Sequence, residues 1–275
     1  MYRQIKFVWP MLLTATSFAL NTTVARESGT ILVFGLSKNK IVVAADSRGK
    51  GDSGGYSDHQ CKIIALSDKF VFASNGMADL SIENVAHPAK RNVIMEANKE
   101  AEIAFKSVRP GSDDFLRKVA LLWGRHVSRI LEQKIKVFGP KAVLGPGDDN
   151  PIINGYFFGV SPKGGLALYM ENIFRVGNDV SFDSEPKAIP LTDTIQYALR
   201  GKAELAQKEK AQWERQSATL LEADRDVLKV VLWVRLTLEA HPDSNEVGGP
   251  IDSLTITPLT GVRWHSLKDE CRTQN

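Results

Sequence analysis

The residues whose types could do chemistry lie early in the chain. They are Thr30 in Gly29-Thr30-Ile31-Leu32-Val33, Asp46 in Val42-Val43-Ala44-Ala45-Asp46-Ser47-Arg48, Lys62, and Gly76 in Ser74-Asn75-Gly76-Met77-Ala78-Asp79. A threonine hydroxyl is a poor nucleophile at its own pKa and works only beside a base. A free α-amine titrates near ~8, so a threonine at a chain's N-terminus carries such a base on its own backbone. That amine can take the hydroxyl proton directly or through water. A lysine beside it favours the neutral amine and stabilises the developing alkoxide, and a carboxylate can hold the lysine in place. A glycine N–H can receive an oxyanion, and the missing Cβ lets a substrate come close. Singly, each residue has an ordinary reading: a strand threonine, a structural ion pair, a turn glycine. Together they can hydrolyse an amide.

The intervals make the set specific. Asp46 stands sixteen residues after Thr30, Lys62 sixteen further on, and Gly76 fourteen beyond that. These stretches resemble the start of a mature proteasome β-subunit and, equally, of the simpler bacterial proteasome-like peptidases, which are N-terminal-nucleophile hydrolases. The resemblance is strong over residues 29–80. A weaker echo lies at Gly248-Gly249-Pro250-Ile251-Asp252, and the intervening helices match in order only. It implies that Thr30 is the nucleophile, exposed by self-cleavage after Gly29, with Asp46, Lys62 and Gly76 as its catalytic partners. It also implies a peptide or other amide substrate, no cofactor, and assembly into a homo-oligomeric ring.

The chain departs from the family in its late support pattern, Asp-x-x-Ser-Gly. With Gly248 aligned, Val247 takes the serine position and Ser244 the aspartate position, while Asp243 is one residue off. Gly177-Asn178-Asp179 only loosely echoes the family's Gly-Ser-Gly loop. Two further readings therefore stand beside the peptidase. One is a catalytically degenerate subunit with an assembly or binding role. The other is an acylase-like amidase acting on small molecules, because fold alone does not separate peptide from small-molecule amides.

The elements that must position these residues follow from periodicity. Ile31 to Leu36 and Ile41 to Ala45 read as β-branched, apolar strands, and Lys62 to Leu66 with Phe70 to Ser74 as a second pair. The tight turns between them imply antiparallel pairing. Asp79 to Val108 reads as helical, interrupted by Pro88. Ser112 reads as the N-cap of a helix with Phe115, Val119, Leu122, His126 and Ile130 on one face. Phe138 to Asn154 reads as loop, and Tyr156 to Val160 with Leu166 to Met170 as a hairpin. Thr192 to Ala240 reads as a helical block stopped by His241-Pro242, its charged part Lys202 to Arg215 a solvated face. Ile251 to Thr257 and Val262 to His265 close the chain as strands. Runs of antiparallel strands with segregated helices make an α+β fold. The expected architecture is a four-layer αββα sandwich, two antiparallel sheets flanked by helices.

The 275 residues suit one domain with a processed leader. Arg3 and Lys6 precede the apolar run Phe7 to Leu20, and Thr23 and Ala25 are small residues before a cut. Residues 1–25 thus read as a secretory signal peptide, 26–29 as a short propeptide, 30–265 as the hydrolase domain and 266–275 as a C-terminal tail. Export to the periplasm or the outside is the expectation; a hydrophobic propeptide on a cytoplasmic protein is the alternative. Past the leader no stretch is apolar enough to cross a membrane. A formal charge of +3 and the absence of any nucleic-acid motif give no reason to expect DNA or RNA. The five histidines show no metal spacing, and His126 reads as a satisfied core residue. Cys61 and Cys271 either pair in an oxidising compartment or remain a buried thiol and a free one.

Overall fold

The computed structural model describes residues 30–50, 56–76, 79–82, 93–139, 151–176, 179–183, 185–220, 224–244 and 247–272. The leader and propeptide expected at 1–29 lie outside these residues, as do Gly51–Gly55, Met77, Ala78, Pro88, Gly145–Gly147, Gly177 and Asn178.

Apolar β-branched runs build the first strands, β1 (Ile31–Leu36) and β2 (Ile41–Ala45). A small pair, β3 (Gly49–Lys50) and β4 (Tyr56–Ser57), precedes β5 (Ile63–Ala65) and β6 (Phe70–Gly76). β7 (Asp79–Ile82) and β8 (Val93–Glu96) pair with each other before α1 (Ala97–Ser107) and α2 (Phe115–Phe138). Next come β9 (Pro151–Val160), β10 (Leu166–Val176), β11 (Asp179–Phe182), β12 (Lys187–Ala188) and β13 (Gln196–Gly201). The chain then runs through α3 (Gln207–Ala218), α4 (Arg225–Ala240), β14 (Asp252–Thr257), β15 (Gly261–Ser266) and α5 (Asp269–Arg272).

One sheet has the order β13-β1-β2-β14-β15 and the other β11-β10-β9-β6-β5, with antiparallel pairing throughout. Alternation along each strand sends successive side chains to opposite faces. In β1, Leu32 and Phe34 pack between the sheets with Val43, Tyr156, Phe158 and Ile256. Ile31 and Val33 turn the other way, onto Val230 and Val234 of α4. On the far side, Trp123 and Val127 of α2 pack on Phe72 and Phe157. The layers are therefore helix, sheet, sheet, helix: the α+β sandwich that the order of elements implied.

Several expectations are corrected. Asp79–Ile82 and Val93–Glu96 are strands, so the helix expected from Asp79 begins only at Ala97. Gln196–Gly201 is also a strand; it covers the edge of β1, and helix resumes at Gln207. Pro151 to Asn154, expected as loop, opens β9, because β6 and β10 both need a partner there. Ser112 does not cap α2 through its side chain; its carbonyl accepts the Phe115 N–H at 2.9 Å, and Asp114 occupies the N-cap. His126 is half-buried and lies 3.5 Å from Glu100 rather than in the core.

Candidate active site

The four candidate residues belong to both sheets. Thr30 immediately precedes β1 and Asp46 immediately follows β2, side by side in the first sheet. Lys62 leads into β5 and Gly76 ends β6, in the second sheet. The ends of these strands meet where Lys62 Nζ donates to Asp46 Oδ1 at 2.6 Å. Both side chains are buried, at 1% and 0% exposure. The charge pair thus bridges the two sheets.

Asp46 is saturated. Its Oδ1 also accepts the N–H of Ile31, the residue after Thr30, at 2.8 Å. Its Oδ2 accepts the N–H of Gly248 at 3.0 Å. The carboxylate therefore fixes the backbone next to Thr30, the ammonium of Lys62 and the late turn at once. Burial pulls the Lys62 pKa down, and the adjacent Asp46 carboxylate pulls it back up, with burial the larger effect.

Thr30 is buried, and its carbonyl accepts the Lys202 N–H at 2.7 Å, which extends the β1–β13 pairing by one residue. Gly201 makes room for this. A Cβ there would meet the Thr30 carbonyl oxygen at 1.9 Å, and its φ is 66°. Gly76 sits beside Ile153 of β9 with φ at 101°, where a Cβ would meet the Ile152 carbonyl oxygen at 2.4 Å. Side chains are strained in that region of backbone space, so glycine is required on two counts.

The late segment is held differently. The backbone N–H groups of Ser47 and Arg48 both donate to the Gly248 carbonyl at 3.0 Å, and Ser47 Oγ donates to the Pro250 carbonyl. Arg48 clamps Asp58 through two bonds, at 2.6 and 3.0 Å, and reaches the carbonyls of Ser244 and Val247 at 3.2 and 3.3 Å. The guanidinium holds the Asp58 carboxyl below its usual range. Val247, where the resemblance led one to expect a serine, is buried in the apolar layer against α4, and Asp243 is exposed.

Cys61, next to Lys62, is disulfide-bonded to Cys271. This settles the two cysteine readings in favour of pairing. Lys268, three residues before Cys271, has Nζ 3.2 Å from Asp252 Oδ2 and donates to the carbonyl of Gln60, the residue before Cys61, at 2.6 Å. The segment beyond β15, expected as a tail, is thus fastened beside the strand that carries Lys62.

Some participants were not readable as site residues. The Gly248 N–H is a backbone donor and has no side-chain signature; only the Gly248–Asp252 echo pointed there. Arg48 was within a quoted stretch, but its reach to Asp58 and to the late turn requires the fold. Among the described residues no group of three or more His, Cys, Asp or Glu side chains could hold a metal ion.

The class these features define is an α+β sandwich with a buried carboxylate–ammonium pair that joins strand ends of its two sheets. No protein-family model matches the chain, and no curated protein matches it. Among solved structures, the Anbu (Gly-1) mutant from Hyphomicrobium sp. strain MC1 is similar, with a TM-score of 0.48 and 16% identity over 89% of this chain and 91% of that one. A likeness of that degree carries no argument about chemistry, which rests on the geometry above.

Proposed function

We propose that the chain is a threonine-type N-terminal-nucleophile hydrolase that frees Thr30 by self-cleavage and then hydrolyses peptide or other amide bonds. The observation that carries this reading is the Asp46 carboxylate, which holds Lys62 Nζ at 2.6 Å and the Ile31 N–H at 2.8 Å in a buried setting. A buried ion pair is weak evidence for stability alone, because desolvation offsets its attraction. Its position one residue from Thr30 supports a role in reaction.

In maturation, Thr30 Oγ attacks the Gly29 carbonyl carbon. The Gly29–Thr30 amide breaks, its nitrogen is protonated to become the Thr30 amine, and an ester forms. Water hydrolyses that ester and releases the propeptide as a carboxylic acid. In turnover, Thr30 Oγ attacks the substrate carbonyl while the α-amine takes the hydroxyl proton and passes it to the leaving amine. Water then opens the acyl-threonine ester. Lys62 keeps the amine neutral by like charge, and the N–H groups near Gly76 receive the oxyanion.

The test compares the purified wild-type chain with Thr30→Ala on a mixed peptide library read by mass spectrometry. Cleavage by the wild type and none by Thr30→Ala is expected. Equal cleavage by both sinks the reading. One observation favours a non-catalytic subunit instead: Val247 leaves no hydroxyl where the family places its supporting serine. A wild-type chain that keeps Gly29 attached to Thr30 and cuts nothing decides for that alternative.

We also place the mature protein outside the cytoplasm. The Cys61–Cys271 disulfide supports this, since such bonds persist in oxidising compartments, as does the leader pattern of residues 1–25. Cell fractionation with N-terminal sequencing tests it; a reduced, cytosolic chain beginning at Met1 contradicts it.

A further inference from the structure

β13 brings a cation beside the nucleophile that the chemistry above does not use. Arg200 pairs with Leu32 across the β1–β13 ladder. Leu32 faces the space between the sheets, and so does Ala198, two residues before Arg200. Tyr197 and Leu199 face the helix layer instead. Alternation therefore points Arg200 into the inter-sheet space, and its guanidinium lies 6.0 Å from the ring centroid of Tyr156, a residue of that space. The Lys202 N–H on the Thr30 carbonyl continues the ladder, so Thr30 stands opposite residue 202 and diagonal to Arg200. Diagonal neighbours in an antiparallel pair have Cα atoms roughly 7–8 Å apart.

The surroundings of Arg200 connect it to the other wall of the site. Tyr156 is buried, and its hydroxyl donates to Asn75 Oδ1 at 3.0 Å, one residue before Gly76. Burial pushes the Tyr156 hydroxyl up to about 12, against the opposing pull of Arg200, so it remains a neutral donor. Arg200 itself is half-buried and donates from Nη1 to the Leu199 carbonyl at 2.8 Å. Among the described residues no carboxylate forms an ion pair with it. A guanidinium keeps its charge at any working pH and presents a planar fork that matches a carboxylate.

We infer that Arg200 binds a carboxylate of the substrate close to the scissile amide, so that the site selects acidic peptides. The inference rests on the hydrolase reading and names the substrate class for that same site. A glutamate or aspartate side chain and a free C-terminal carboxylate present the same chemistry, and the test separates them.

Three matched peptides are compared with the wild-type chain: one with a central Glu and an amidated C-terminus, one with Gln in its place and the same amide, and the Gln peptide with a free C-terminal acid. Hydrogen bonds to charged groups contribute about 1.5–3 kcal/mol, so either acidic peptide is expected to exceed the Gln amide in kcat/KM by roughly 10- to 100-fold. Preference for the Glu peptide assigns the carboxylate to a side chain; preference for the free acid assigns it to a terminus. Arg200→Gln should collapse the ratio towards one, mainly through KM, and Arg200→Lys should restore part of it. Equal rates on all three peptides overturn the inference. So does an Arg200→Gln chain that loses rate on every peptide by one common factor, which would make Arg200 a support for Tyr156. Should the wild type cut nothing, the hydrolase reading fails, and binding of the fluorescently labelled Glu peptide decides separately. Weaker binding to Arg200→Gln than to wild type supports the anion site, and equal binding overturns it.

Discussion

Asp46 and Glu171 are both fully buried carboxylates, and they live in opposite circumstances. Asp46, where the two sheets meet, accepts from Lys62, Ile31 and Gly248. Glu171, on β10 under α2, has no hydrogen-bond partner for either oxygen among the described residues. Gly124 of α2 lets the helix come down over it, since a Cβ there would meet Glu171 Oε1 at 2.7 Å. Burial, with Asp183 and Glu185 nearby, pushes the Glu171 carboxyl up to about 9. The difference teaches what burial alone cannot tell. A buried acid given three donors can organise a site; a buried acid given none is pushed towards its neutral form.

Removing the partner of Asp46 should break the first half of that contrast. Lys62→Ala leaves an uncompensated buried carboxylate, which costs about 3–5 kcal/mol. The same change should lower amide hydrolysis by roughly 10²–10³-fold, the span of a lost electrostatic partner of the developing charge. Denaturant unfolding and steady-state rates read both effects. Unchanged activity in a less stable chain would make the pair structural only.

Next in stability is the cross-link beside Lys62. Replacing Cys61 and Cys271 together by serine should cost about 2–5 kcal/mol, the usual span for loss of a native disulfide. Thermal melts of the oxidised, reduced and double-variant proteins measure it, and identical midpoints would contradict it.

Gly76→Ala should cost about 1–3 kcal/mol, for a side chain forced into positive φ. Because the same backbone is assigned to the oxyanion, rates should fall by roughly 10²–10³-fold. A stability loss with full activity would move the oxyanion donor elsewhere.

The last test reaches Glu171 through pH. Its folded-state value of about 9 stands above an unfolded value near ~4.3. Between those values the folded chain holds a proton that the unfolded chain has shed. The stability contributed is fully present below the unfolded value and is lost as pH rises through the folded one. Glu171→Gln should therefore lose less stability than wild type between pH values of roughly 5 and 9. Parallel stability curves for the two chains would show that Glu171 does not titrate so high.

Much of this was legible in the sequence, for physical reasons. The apolar runs of β1 and β2 are short and separated by the polar turn Ser37-Lys38-Asn39-Lys40, which favours strand over helix, and the spacing of Thr30, Asp46, Lys62 and Gly76 could be counted. The structure brings Lys62 onto Asp46 as the pairing of types suggested. Strand β13 was hidden because Gln196, Ala198, Leu199 and Arg200 are good helix formers; the open edge of β1 overrides that preference. The opening of β9 was hidden behind a proline and an asparagine that read as turn. Gly248 was hidden as a donor because every residue type but proline offers the same N–H. The late turn shows the general difficulty: Val247 marks a departure by type, yet the hydrogen bond that ties this turn to Asp46 comes from the main chain.

The N-terminus of the purified protein tests the central claim most directly. Intact mass of the wild-type chain is expected to correspond to a start at Thr30, and Thr30→Ala is expected to keep Arg26-Glu27-Ser28-Gly29 ahead of residue 30. A wild-type chain that retains Gly29 and still hydrolyses amides would show that Thr30 is not an N-terminal nucleophile.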